Sequence, residues 1–231
     1  MQIPLELKLP VKASFDDFVS NQKQEITSAI QELINKFEHH FIFLSGANAT
    51  GKTHLLSALC QSAETADQSI IYLPLQQADE FPPEICEGIE TADIICLDDI
   101  DAIAGNNDWE IALFNLYNRL RDHGKNLIIS SQYSIGEIPI QLPDLKSRLA
   151  WGINITLKAL SDENKKLILK NRAEQLGMKL PEEASNYLLR HQSRTMTDLL
   201  DTLNKLERAS LAAQRKLTIP FIKGFLNLQE P

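Results

Sequence analysis

Residues 46 to 53, Gly46-Ala47-Asn48-Ala49-Thr50-Gly51-Lys52-Thr53, have the types and order needed to hold a row of phosphates. Glycine allows the backbone to turn successive N–H groups inward around phosphate oxygens. Lys52 supplies a point charge for the outer phosphates, and the Thr53 hydroxyl suits Mg²⁺. A helix starting where the loop ends adds the positive end of its dipole. The flanks read as this chemistry requires. Phe41–Ser45 is a short apolar, β-rich run, and Lys52 to Ala63 reads as a helix, with His54 placed beside the phosphates.

A phosphate loop alone does not say what is done with the phosphates. The second element is Ile94-Ile95-Cys96-Leu97-Asp98-Asp99, four apolar residues ending in two acids. A strand buried on both faces projects its terminal carboxylates from the sheet's edge, beside the loop. Asp98 is expected to hold Mg²⁺ through water, and Asp99 to orient or deprotonate an attacking water. Asp101 reads as a helix-start or surface acid. Other constellations add little. His39, His40, His54, His123 and His191 show no ligand spacing with Cys or acids, and there is no Gly-x-Ser-x-Gly elbow. Cys60, Cys86 and Cys96 are odd in number and lack metal or redox spacing, so they read as reduced core thiols of a cytoplasmic protein.

The elements that must position these groups alternate. Residues 1–12 are Pro-broken and extended in character. Ser14 to Phe37 reads as a turn and an amphipathic helix, with Ile26, Ile30, Leu33 and Phe37 at helical spacing. Ser69–Leu75, Ala92–Leu97, Lys125–Ser131 and Gly152–Leu157 follow as strand candidates. Asp108–His123 is a helix with Trp109, Ala112, Leu113, Leu116, Tyr117 and Leu120 on one face, and Gly124 stands at its expected stop. Strands alternating with helices give an α/β fold, a five-stranded parallel sheet with helices on both faces. After Leu160 strand signals cease. Ser161-Asp162-Glu163 opens a helix that Gly177 ends, Pro181 opens another, and Thr195-Met196-Thr197-Asp198 has capping-box spacing before a leucine-rich run. A last short helix begins near Pro220. The expected division is a tail at 1–12, an α/β nucleotide-binding domain at 13–160 and an all-helical lid at 161–231.

Composition sets limits. A chain of 231 residues with 43% hydrophobic content buries a sizeable core, and no apolar run approaches a membrane span. Net charge is −8, unevenly spread: from Thr53 to Asn118 there is no Lys or Arg, against thirteen Asp and Glu. A face drawn from that stretch repels a phosphate backbone, so it is either a solvated surface or one that meets a basic partner.

The order of parts resembles the AAA+ ATPases, specifically their DnaA-related branch, over nearly the whole chain. The resemblance rests on the phosphate loop, the Asp98-Asp99 strand, Ser14-Phe15-Asp16-Asp17-Phe18, Trp109 to Tyr117, Leu142 to Gly152, and Arg208 to Pro220. The last of these is similar to the regulatory members of the branch, which inactivate the initiator DnaA. The resemblance implies ADP or ATP with Mg²⁺ as ligands, bound by Gly46 to His54. It also puts an arginine finger at Arg148, whose planar, permanently charged fork suits a γ-phosphate presented by a neighbouring subunit. On spacing alone, Arg148 reads as a surface ion pair with Asp144 or a nearby acid. Two positions depart from the family pattern. Gln132 stands where a polar sensor, typically an acid, ends a strand. Thr197 stands where a lid arginine reaches the nucleotide, with Arg194 three residues earlier. Both put this chain's own hydrolysis in doubt while leaving binding supported.

Gln2-Ile3-Pro4-Leu5-Glu6-Leu7 is similar to the peptides that dock replication proteins on the β sliding clamp of DNA polymerase III. In an extended chain Leu5 and Leu7 project to one side and enter an apolar groove, with the Gln2 amide hydrogen-bonding nearby. A frayed terminus explains the bare pattern as well. The sequence ends at Pro231, where DnaA continues into a helix-turn-helix domain, so sequence-specific DNA binding is not expected. The expected role is therefore a nucleotide-bound negative regulator of replication initiation. Its partners are DnaA and the DNA-loaded clamp, and self-association stays open. A self-contained ATPase that loads a helicase or remodels nucleic acid is the alternative, and a small-molecule P-loop kinase the more distant one.

Overall fold

The computed structural model describes residues 13–35, 40–191 and 195–227. The tail residues Gln2, Leu5 and Leu7, together with Phe37 and Arg194, lie outside the described residues. The chain folds as two compact units. One comprises residues up to Phe18 and Gln22–Lys158; the other comprises Val19–Asn21 and Ala159 onward.

In the first unit, helix α1 (Lys23–Asn35) precedes β1 (Phe41–Ser45), and α2 (Lys52–Thr65) follows the phosphate loop. Then come β2 (Ile70–Pro74), β3 (Ile94–Asp98), α3 (Asn107–Asp122), β4 (Asn126–Ser131), α4 (Pro143–Leu149) and β5 (Ile153–Thr156). The five strands form one parallel sheet in the order β2-β3-β4-β1-β5. The strand expectations hold to within a residue or two. Not foreseen were the short 3₁₀ turns over 75–103 and the helix α4.

Strand periodicity decides what faces what. Ile42 and Leu44, Ile94 and Cys96, and Ile128 point to one face, where they bury against Ile26, Ile30 and Leu33 of α1 and Leu55, Leu56 and Leu59 of α2. Phe41 and Phe43, Ile95 and Leu97, and Leu127 and Ile129 point to the other, against Trp109, Leu113, Leu116 and Leu120 of α3 and Leu145 and Leu149 of α4. Burial on both faces is why the strands read as continuous apolar runs rather than alternating ones. All three cysteines are free and buried. Burial raises the Cys86 thiol to about 12, partly opposed by Arg119.

The second unit is helical: α5 (Asp162–Gln175), α6 (Glu182–His191), α7 (Met196–Ala213) and α8 (Ile219–Asn227). Its core is built by Leu169, Ala173, Leu188, Leu199, Leu203, Leu206 and Ile222. The caps read from the sequence are present. Ser161 accepts from the Asn164 N–H at 3.2 Å, and Thr195 accepts from the Asp198 N–H at 3.2 Å while donating to its carboxylate at 2.6 Å. No helix among the described residues is long and apolar enough to cross a membrane.

Candidate functional site

The phosphate loop leaves β1 at the carboxyl end of the sheet. The Gly46 N–H donates to the Ser131 carbonyl at 3.1 Å, which anchors the loop's first residue to β4. A methyl at Gly46 would lie 2.8 Å from both the Leu157 carbonyl oxygen and the Thr50 hydroxyl, so only glycine fits. Gly51 has φ of +102°, in the left-handed region, and a methyl there would meet the Phe18 ring at 3.0 Å. Between them, Ala49 also takes a positive φ of 61°, and the Thr50 hydroxyl donates to the Ala47 carbonyl at 2.9 Å. Lys52 is 5% exposed, its Nζ donating to the Gly46 and Ala47 carbonyls at 2.7 and 3.3 Å. It therefore lies across the loop's concave side, where a phosphate would take over those bonds. Asn48 is exposed. His54 faces elsewhere: its Nε2 is 3.0 Å from the Ser14 carbonyl, and its ring lies 6.2 Å from that of Phe18. This places it behind the loop's helix start, bracing the preceding segment.

The acid pair sits two strands away, across β4. Asp98 is 3% exposed and accepts three hydroxyl bonds. Thr53 donates to its Oδ2 at 2.8 Å, Tyr72 to the same oxygen at 2.7 Å, and Ser130 to Oδ1. Parity explains the convergence. Asp98 lies on the face of Ile94 and Cys96, Ser130 on that of Ile128, and both look toward α2. Burial and the Asp98 charge push the Tyr72 phenol far above its ordinary value, so it stays a donor. Thr53 and Asp98 thus present two hard oxygen donors beside the loop, a donor set that fits Mg²⁺. No cluster of three or more His, Cys, Asp or Glu suited to a metal occurs among the described residues.

Asp99 follows in the left-handed conformation, φ 57° and ψ 57°, a region Asp tolerates better than most residues. Its N–H donates to the Ser130 hydroxyl at 2.8 Å, and its carboxylate accepts from the Gln76 amide at 2.8 Å. Burial, reinforced by the adjacent Asp98 charge and opposed by Lys52, pushes its pKa up to about 6. Asp101 lies in the first turn of the short helix Ile100–Ile103 and also accepts the Gln132 N–H at 2.8 Å. The Gln132 side chain is exposed, and Thr197 is an exposed residue of α7.

Arg148 is on the last turn of α4, half-buried. Its guanidinium carbon stands 4.6 Å from the centroid of the Trp151 ring. The surface ion pair that spacing alone suggests is not formed: neither Asp144 nor another carboxylate pairs with Arg148 among the described residues. The sequence reading missed four supporting groups: Tyr72, Ser130, Trp151 and Glu110. Glu110 is 1% exposed and accepts from the N–H groups of Gly105, Gln141 and Leu142, the last at 2.6 Å. Its signal was present, since it lies three and seven residues before the core positions Leu113 and Tyr117.

A phosphate loop, a strand-end acid pair, a five-stranded parallel sheet in this order and a helical second unit together define the AAA+ ATPase fold. A family model described as the bacterial DnaA ATPase domain matches residues 9–156, and one described as the Hda lid domain matches residues 162–226. The chain belongs to the DnaA-related AAA+ family, with a lid of the Hda kind. Among solved structures it is similar to domain III of the replication initiation protein DnaA from Thermotoga maritima (TM-score 0.78, 21% identity, covering 90% of this chain and 93% of that one). It is similar also to AMPPCP-bound DnaA from Aquifex aeolicus (0.72, 23%, covering 86% and 66%). The Thermotoga maritima RuvB Holliday junction branch migration motor shares the fold (0.72, 16%, covering 95% and 72%).

Proposed function

We propose that this chain is a nucleotide-bound regulator that stimulates ATP hydrolysis by DnaA and so limits re-initiation of replication. Gly46 to Lys52 hold the phosphates of ADP or ATP, and Thr53 with Asp98 holds Mg²⁺. Gln2, Leu5 and Leu7 dock the chain on the DNA-loaded sliding clamp. Arg148 then reaches the γ-phosphate of ATP bound to DnaA and stabilises charge developing there. The observation that carries this reading is the state of Arg148, a half-buried guanidinium at a helix end, stacked on Trp151 and paired with no carboxylate among the described residues, in a chain whose lid is of the Hda kind. A finger supplied in trans accelerates phosphoryl transfer by roughly 10³–10⁵ in GTPases, enough for a switch.

The experiment is hydrolysis of DnaA-bound ATP with clamp loaded on DNA, comparing the unaltered chain with Arg148→Ala. Stimulation should vanish in the variant; undiminished stimulation removes the finger role. The tail is tested separately by clamp pull-down with and without residues 1–8, where binding that survives the deletion sinks the docking assignment. The intact Thr53–Asp98 pair also favours a second reading, a self-contained ATPase acting on nucleic acid. That reading requires turnover by this chain alone, stimulated by single-stranded DNA.

A further inference from the structure

Arg148 is held at two levels. The start of α4 is fixed from outside the helix, because the Glu110 carboxylate takes the N–H groups of Gln141 and Leu142 just before Pro143. A buried acid bound to backbone donors pins them in a way that water cannot. At the other end the chain keeps a helical turn after Leu149, with the Trp151 N–H donating to the Arg148 carbonyl at 3.1 Å. That turn puts the Trp151 indole directly against the guanidinium, 4.6 Å from ring centroid to Cζ. Trp151 is 67% exposed, so the indole meets this cation at the surface.

We infer that Trp151 is a positioning residue for Arg148. Stacking restrains the guanidinium through its face and leaves the N–H groups around its edge to donate. A carboxylate partner would do the reverse, occupying those donors and cancelling the charge. An arginine side chain loses considerable rotamer freedom when it is fixed, and here part of that loss precedes the encounter. The inference rests on the reading of Arg148 as the group that meets the partner's γ-phosphate. It adds that the rate of the stimulated reaction depends on a side chain that is neither charged nor part of this chain's own phosphate site.

The test uses the full chain, DnaA charged with ATP, and clamp loaded on DNA, and varies the concentration of the chain. Trp151→Ala should lower the maximal stimulated rate by about 10-fold, with the half-saturating concentration changed less than about 3-fold. Trp151→Phe, which keeps a stacking face, should restore the rate to within about 3-fold. A change confined to the half-saturating concentration would make Trp151 a contact with the partner and overturn the inference. A maximal rate equal to that of the unaltered chain would do so too. The stacking has its own readout. The ring current of Trp151 should displace the Arg148 Nε–H resonance, and Trp151→Ala should return it to the range of solvated arginines; an undisplaced resonance in the unaltered chain also overturns the inference. Should Arg148→Ala leave stimulation intact while the Nε–H shift is observed, the finger reading has failed and the stacking has not.

Discussion

Lys52 and Arg148 are both cations of the unit that carries the sheet, yet their surroundings differ at every level. Lys52 is almost fully buried, with its ammonium on two carbonyls of its own loop. Asp98, beside it in the site, accepts three hydroxyls. Arg148 lies on a seven-residue helix, half-buried, and its guanidinium meets the face of an exposed indole. The first arrangement suits a ligand held by this chain, since the buried ammonium lies across the loop that would hold it. The second suits a group arriving from elsewhere, since its donors lie along an open edge. The proposed role, in which the chain holds its own nucleotide and acts on another's, asks for this contrast between the two cations.

The largest expected effect comes from changing the shape of the outward cation without its charge. Arg148→Lys retains a positive group but loses the planar fork and the stacking, and stimulated DnaA hydrolysis should drop by on the order of 100-fold or more. A variant that still stimulates within a few-fold would mean a point charge suffices, and the contrast with Lys52 would lose its meaning. Lys52→Ala comes next. Removing a buried donor from the loop should weaken ADP binding by about 100-fold, measured by titration calorimetry, because charge-assisted bonds to phosphate are the strong ones. Wild-type affinity in that variant would place the nucleotide outside the loop.

Much of this was legible in the sequence, for identifiable reasons. The five strands are buried on both faces or lie next to strands that are, so their apolar runs stood out. The loop and the acid pair are contiguous motifs whose chemistry is carried by residue type. What was not legible depends on register between strands or on partners far along the chain. Parity puts Tyr72, Asp98 and Ser130 each on a definite face of its own strand. That the three meet is set by β2-β3-β4 pairing, which no single segment encodes. Helix α4 is too short for periodicity to show, and the acid that fixes its start is Glu110, 31 residues before Gln141. The Arg148–Trp151 contact has helical spacing but was hidden with the helix itself. The tail at Gln2 to Leu7 remains a reading of residue pattern alone.

Two smaller effects sharpen the picture of the inward site. Gly46→Ala forces a methyl against the Leu157 carbonyl oxygen, backbone that cannot swing aside, and against the Thr50 hydroxyl. A loss of roughly 1–3 kcal/mol in urea unfolding is expected, as for overpacked sites. An unchanged midpoint would show that the loop yields freely.

Asp99→Asn should act in the opposite direction and with a pH signature. The folded-state pKa of Asp99 is about 6, above its ordinary 3.8, with burial the largest cause and the Asp98 charge next. Between about pH 4 and pH 6 the unfolded chain has released this proton while the folded chain still holds it. The unfolded state therefore binds fewer protons, and the Asp99 contribution falls as pH rises through that window, then stays level above it. Asparagine keeps an oxygen for the Gln76 amide and has no charge to bury. At pH 7 the variant should be more stable by about 1 kcal/mol, less than the full shift implies because the carboxylate is partly screened by solvent. The advantage should shrink toward zero as the pH approaches 4. A stability difference that does not vary with pH would mean that the Asp99 carboxylate titrates as it does in water.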